Sequence, residues 1–258
     1  MDYPPITITF LGTGTSSGIP MIGCSCEVCT STDKKDNRLR ASILVRSAKT
    51  TIVVDAGPDF RYQMLRAGVK HLDAIIFTHP HKDHVAGLDD VRAYNFFSSQ
   101  PMQVFANEMT QDVLIREFPY AFAEKRYPGV PEIELNSIDT DLFVVGDIPV
   151  IPIQVWHLKM PVLGFRFGKF TYITDANRIE QQEKQKIIAS EIIVLNTLRQ
   201  EKHISHFNLE EGIALANEFK ASQTYFTHLS HQMGRHADIT SQLPAGINLA
   251  YDTLGFSL

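Results

Sequence analysis

An α/β fold made of two sheets packed face to face, with helices on the outside, is what this sequence predicts. Three observations carry the prediction. Short β-branched runs alternate with helix-period stretches along the whole chain. The two halves follow one order, strands then helices, and in each half strands run into residues suited to binding metal. No linker or low-complexity segment interrupts the 258 residues, so positions 1–258 are expected to form one domain.

Taken in order, residues 6–11 read as a strand that ends in Gly12-Thr13-Gly14. Residues 41–46 and 51–55 form a hairpin pair joined by a polar 47–50. Residues 58–69 have helical spacing and stop at Gly68. A continuous apolar strand, 72–78, leads directly into a histidine cluster, and 83–97 looks helical. Another helix is expected over 108–123, with Pro119 near its end. Residues 125–138 carry Pro128, Gly129 and Pro131 and give no assignment.

In the second half, 150–156, 163–167 and 170–174 read as strands and 178–189 as a charged helix. Residues 192–197 form a strand and 208–219 a helix. That helix is capped by Asn208, has Glu211 where a capping box wants it, and buries Leu209, Ile213, Ala216 and Phe219. Residues 224–227 are the next strand, again running into histidines.

The composition, 44% hydrophobic and 21% charged, is that of an ordinary soluble protein. A net charge of -5 supplies no basic field for an extended nucleic acid. Small phosphorylated substrates remain open, since bound metals supply local positive charge. The opening Met1-Asp2-Tyr3-Pro4-Pro5 has no basic segment followed by an apolar core, and no run is long enough to span a bilayer. All three cysteines fall between Cys24 and Cys29, too few for a disulfide framework. The expectation is a cytoplasmic protein with no membrane partner; homodimerisation is left open.

Thr78-His79-Pro80-His81-Lys82-Asp83-His84 is the most informative stretch. Three of the 10 histidines fall within six residues after an apolar strand. In extended chain His79 and His81 project to one side, whereas Asp83 and His84 lie where the chain turns into a helix. Two sets of imidazole and carboxylate so close together suit a pair of zinc, manganese or iron ions.

This HxHxDH run resembles the signature of the metallo-β-lactamase superfamily, whose fold is a four-layer αββα sandwich. The resemblance extends from Asp55 to His228, with 89–150 the least constrained part. It implies a first metal on His79, His81 and His157, a second on Asp83, His84 and His228, and Asp175 touching both. Asp55 matches an aspartate that supports the metal loop from behind. The expected catalytic pair is two divalent ions, manganese or zinc.

Cys24, Cys26 and Cys29 offer three corners of a tetrahedral zinc site, and His231, three residues after His228, is a natural fourth. CxCxxC after Leu11-Gly12-Thr13-Gly14, with His-x-x-His at the last motif, is similar to the PhnP-type branch. The resemblance implies a structural zinc on these four residues, which staples the N-terminal loop to the strand end bearing His228. Gly12-Thr13-Gly14-Thr15-Ser16-Ser17-Gly18 lacks the lysine of a phosphate loop and the spacing of a dinucleotide fingerprint, and reads as a tight turn between strand and cysteine loop.

PhnP-type enzymes are phosphodiesterases, named for one that opens a cyclic ribose phosphate. The resemblance implies the same class here, with a small, cyclic phosphodiester as substrate. His206 is the candidate proton donor to the leaving group, ahead of His203. Arg61, Lys159, Arg178 and Arg199 are candidates to grip substrate, whereas His71 and His236 read as surface histidines. The rival readings are a tRNA 3′-processing nuclease, a lactonase or thioesterase, a pyrroloquinoline-quinone biosynthesis type, and a non-catalytic metal-binding protein.

Overall fold

Strands buried on both faces read as unbroken apolar runs, and those runs form the middle of this molecule. The computed structural model describes residues 3–125 and 127–258. Met1 and Asp2 of the opening segment, and Arg126 within the unassigned 125–138, lie outside the described residues.

The first half supplies β1 (Thr7–Gly12), β2 (Ser42–Arg46), β3 (Thr51–Val54), β4 (Ala74–Ile76), β5 (Met102–Ala106) and β6 (Ile133–Ser137). The second supplies β7 (Phe143–Val145), β8 (Ile148–His157), β9 (Met160–Phe167), β10 (Phe170–Ile173), β11 (Arg178–Ile179), β12 (Ile192–Asn196), β13 (Gln223–Thr227), β14 (Ile247–Leu249) and β15 (Gly255–Ser257). One sheet runs β15-β1-β2-β3-β4-β5-β6 and the other β11-β8-β9-β10-β12-β13-β14, with β7 on β8.

The helices are α1 (Phe60–Arg66), α2 (Lys82–Val85), α3 (Arg92–Ser98), α4 (Glu108–Glu117), α5 (Pro119–Phe122), α6 (Gln181–Ile187), α7 (Leu209–Phe219) and α8 (His236–Thr240). Ile8, Phe10, Ile43, Val54 and Ile76 meet Phe165, Phe167, Tyr172 and Val194 between the sheets. Outside the first sheet Leu44, Val53, Ile75 and Val104 pack on Phe60, Met64 and Leu114 of α1 and α4. Outside the second, Ile193, Leu195 and Phe226 pack on Ile187, Ala216, Phe219 and Ile239 of α6, α7 and α8. The layers are therefore αββα, as the sequence predicts.

Several elements differ from expectation. Residues 83–97 split into α2, a 3-10 turn at Leu88–Val91, and α3. The break lies at Gly87, whose N–H donates to the Ala56 carbonyl at 2.8 Å. A side chain there would lie 2.1 Å from the Gly57 carbonyl oxygen, so only glycine permits the approach. The stretch 178–189 opens as β11 against β8 before α6 begins, and the unassigned 125–138 contains β6. The capping box on Asn208 and Glu211 forms as read. The turn expected within 12–18 lies at Ser16-Ser17, where Gly18 N–H donates to the Thr15 carbonyl at 2.8 Å, whereas Gly12 ends β1 with room for no side chain, since one would lie 1.9 Å from the Arg40 carbonyl oxygen.

His236 is not a surface residue. It is buried, its backbone N–H donates to Asp36 Oδ1 at 2.7 Å, and its Nδ1 faces Arg38 Nη2 at 3.1 Å. Burial, then the Arg38 guanidinium, lowers its pKa to about 4, so the neutral ring accepts a hydrogen bond from Arg38. His71 is exposed as expected, 2.8 Å from Asp73. Among the described residues no helix is long and apolar enough to cross a membrane.

Candidate metal centre

The chain places its metal-binding residue types where strands end. Asp55 follows β3, the 79–84 run follows β4, His157 closes β8, Asp175 follows β10, and His228 follows β13. Asp55, Asp175 and His228 take left-handed backbone, with φ of 65°, 53° and 57°. That conformation costs a non-glycine residue roughly 1 kcal/mol or more. The surrounding sheets hold the strain, which turns Asp175 and His228 toward each other and sets Asp55 behind His84.

Asp175 Oδ2 lies 3.2 Å from both His84 Nε2 and His228 Nε2. Its Oδ1 lies 3.9 Å from His79 Nε2 and from His206 Nδ1. Asp83 Oδ2 is 3.2 Å from His84 Nε2 and 3.6 Å from His228 Nε2, which completes a set of Asp83, His84, Asp175 and His228. His79, His81 and Asp175 form a second set, its ligand-type atoms all within 4.8 Å. His157 converges with Asp175 and His206 instead, although its ring centroid is 5.1 Å from that of His81 and 6.2 Å from that of His79. The structure therefore brings every residue of the expected pair together. It inserts His206 beside His157 within the same cluster.

The ring tautomers suit cations. Ionised Asp55 accepts from Thr78 N–H at 2.9 Å, from the Thr78 hydroxyl and from His84 Nδ1 at 2.7 Å. With its proton given to Asp55, the Thr78 hydroxyl accepts from His79 Nδ1 at 2.9 Å. His157 Nδ1 donates to the Ser205 carbonyl at 2.9 Å. In His79 and His157 the lone pair is thereby left on Nε2, and His84 would offer the same atom once a cation displaces the second proton that its carboxylate neighbours favour. Thr78 and Ser205 were not anticipated. Thr78 stands next to His79 in sequence, but nothing local marks Ser205.

Several buried polar atoms of the cluster are left without partners. His84 Nε2 and both nitrogens of His228 are buried and make no hydrogen bond, although a carboxylate oxygen of Asp175 lies 3.2 Å from each Nε2. His79 Nε2 and His81 Nδ1 stand 3.1 Å apart. Nitrogens and carboxylate oxygens this close, with unsuitable hydrogen-bond geometry, match ligands around divalent ions. Burial opposes charge here, but His84 and His228 hold the Asp83 and Asp175 carboxyls well below the usual carboxylate range. Burial also opposes a proton on His84, and Asp175, Asp55 and Asp83 outweigh it, raising that imidazole's pKa. The cluster is built to concentrate negative charge for a cation.

The cysteine loop makes a separate cluster. Cys24 Sγ and Cys26 Sγ each lie 3.3 Å from His231 Nδ1, and all four ligand atoms, with Cys29 Sγ, fall within 4.8 Å. Tetrahedral zinc bonds of the usual lengths would set S···N at about 3.5 Å. The Cys29 backbone N–H, then His231, lowers the Cys26 thiol to about 6, whereas burial pushes Cys29 up to about 11. Thr15 N–H donates to the Leu229 carbonyl at 3.0 Å and Leu229 N–H to the Thr13 carbonyl at 2.9 Å. The loop is thus tied to the strand end that carries His228.

Of the basic candidates, Arg178 stacks on Trp156 with its guanidinium 4.9 Å from the ring centroid. Arg199 is engaged by Gln232 Oε1 at 3.0 Å and the Lys202 carbonyl at 2.9 Å. Arg61 lines an outer groove between α1 and α3 with Phe60, Met64, Tyr94 and Phe97.

Residues 50–229 match the family model for the beta-lactamase superfamily domain, a span that holds every residue from Asp55 to His228. The chain belongs to the metallo-β-lactamase superfamily. Within it, the chain is of the PhnP type: a crystal structure described as a new diphosphatase from the PhnP family superposes with a TM-score of 0.92. The two share 38% identity over 98% of each chain. An octanoyltransferase of Porphyromonas gingivalis is 36% identical over 247 residues, 95% of this chain and 50% of that protein. A coenzyme PQQ synthesis protein B of Methylococcus capsulatus is 28% identical over 166 residues, 59% of this chain and 53% of that protein. The chain spans about half the length of these curated relatives.

Proposed function

We propose that the chain is a dinuclear metal-dependent phosphodiesterase that hydrolyses a small phosphoester, a cyclic diester among the candidates. The observation that carries this reading is the division of the Asp175 carboxylate. One oxygen faces His84 and His228, and the other faces His79 and His206. His79, His81 and His157 would hold one ion and Asp83, His84 and His228 the other, with Asp175 shared. Cys24, Cys26, Cys29 and His231 would hold a structural zinc. Two divalent cations, zinc or manganese, would lower the pKa of water and polarise a phosphoryl oxygen. The diphosphatase relative supports phosphoryl chemistry and adds diphosphate esters to the substrate class.

The protein's own part is orientation. Asp55 and Thr78 fix the His84 and His79 rings, and Ser205 fixes His157. His206 sits between His157 and His228, tilted to the first and stacked on the second, with centroids 4.6 Å and 5.0 Å away. Burial, then His228, pushes its pKa down to about 3. It is therefore neutral near pH 7 and serves the leaving oxygen through a neutral N–H, as a hydrogen-bond donor.

A nitrophenolate departs without help, whereas a sugar alkoxide does not. His206→Ala should lose about 10²-fold or more in kcat on a ribose or alkyl diester, and far less on bis(4-nitrophenyl) phosphate. Metal content should be unchanged. Equal losses on both substrates would remove His206 from the leaving-group role. A related signature concerns pH. A histidine with its ordinary pKa would lose its proton, and its function, as pH rises through 6.5. His206, already neutral, should impose no falling limb there.

The relatedness to an octanoyltransferase favours a second reading, hydrolysis of an acyl ester or thioester at the same centre. A panel of cyclic ribose phosphate, diphosphate esters, lactones and octanoyl thioester separates the two. The proposal predicts turnover of the phosphoryl members at rates far above the acyl members.

A further inference from the structure

β8 and β9 are joined by a two-residue turn, Leu158-Lys159, with His157 paired to Met160. Its first position has φ of 57° and carries a leucine. Hairpins favour glycine, asparagine or aspartate at such positions, because a side chain beyond Cβ is strained there. The leucine is also 48% exposed, so it gains little from burial to offset the strain. Strained backbone under an exposed apolar residue, next to a residue of the metal centre, points to use rather than to stability.

A second exposed aliphatic stands beside it. Ile204 is 76% exposed in the loop between β12 and α7, flanked by His203 and by Ser205-His206. Asn177 ties the two loops together: Leu158 N–H donates to its Oδ1 at 2.9 Å, and its Nδ2 donates to the Ile204 carbonyl at 2.9 Å. The His157 bond to the Ser205 carbonyl is a second tie. Leu158 and Ile204 therefore rise from one rigid edge immediately outside His157 and His206. A single exposed aliphatic is ordinary; two fixed at the rim of a charged centre make a contact surface.

We propose that Leu158 and Ile204 form an apolar lip that binds the organic group attached to the anion held at the centre. The preferred substrate then carries a ring or short aliphatic group beside its reacting group, rather than being a bare phosphate. The proposal rests on the reading of the centre as one that holds an anion against metals, and not on which anion is hydrolysed.

The test is calorimetric binding to metal-loaded protein with two ligand pairs, methyl phosphate against phenyl phosphate and acetate against phenylacetate. The phenyl member should bind about tenfold tighter in each pair, the effect of removing roughly 50–60 Å² of apolar surface from water. Leu158→Gly with Ile204→Ser should abolish that gain and leave the two small anions unaffected. Glycine relieves the strained turn, so the variant should keep its metal content and its Tm. A gain in the carboxylate pair alone would uphold the lip and count against the phosphoryl reading. No gain in either pair, a gain that survives both substitutions, or equal weakening of all four ligands would overturn the lip.

Discussion

Replacing Asp175 with alanine should empty the metal centre and lower turnover by at least about 10³-fold. Among the described residues the carboxylate belongs to both histidine sets, and its Oδ2 stands 3.2 Å from two imidazole nitrogens that have no hydrogen-bond partner. Removing it takes a ligand from each ion at once. It also leaves His84 with Asp55 and Asp83 alone to balance its charge. Elemental analysis after dialysis should find both exchangeable ions gone and the cysteine-bound ion retained. Asp175→Asn, which keeps shape and loses charge, should fall between. Full metal content in Asp175→Ala would refute the shared role.

The second large effect is on stability. Cys26→Ser should lower the zinc content by one per chain and lower Tm by about 5–10 °C. That range takes about 2–3 kcal/mol for the lost site in a chain of this size. The loss should stay well below that of a zinc finger, because the sheets and helices bury a large core of their own. The effect should reach the metal centre through His231 and Leu229, the latter paired with Thr13 and Thr15 in the segment after β1. Activity at low temperature should survive in reduced form. Unchanged zinc content would remove the metal from this cluster, whatever happened to Tm.

Residues close together in the chain were legible from their spacing, whereas Asp55, His157, Asp175, His206 and His228 were legible only through the family resemblance. His79, His81, Asp83 and His84 announce themselves because one turn of backbone delivers all four. Cys24, Cys26 and Cys29 do so because a single loop carries them. The αββα layering was legible in the continuous apolar strands, since only a sheet covered on both faces tolerates them. The break at Gly87 was not, because it depends on the Gly57 backbone lying against it, 30 residues earlier in sequence. β14 and β15 are three residues each, too short to show a period. His236 looked like a surface residue because its burial depends on Arg38 and Asp36, about 200 positions away. Thr78 and Ser205 belong to the same class. Their roles are hydrogen bonds to ring nitrogens, which sequence spacing does not encode.

The central claim is that two ions sit on either side of the Asp175 carboxylate. Anomalous diffraction from crystals grown with zinc or manganese tests it most directly. Three peaks per chain are expected: one among Cys24, Cys26, Cys29 and His231, one beside His79 and His81, and one among Asp83, His84 and His228. The last two should share Asp175. A single peak at the Asp175 cluster under saturating metal, or none, would contradict the account.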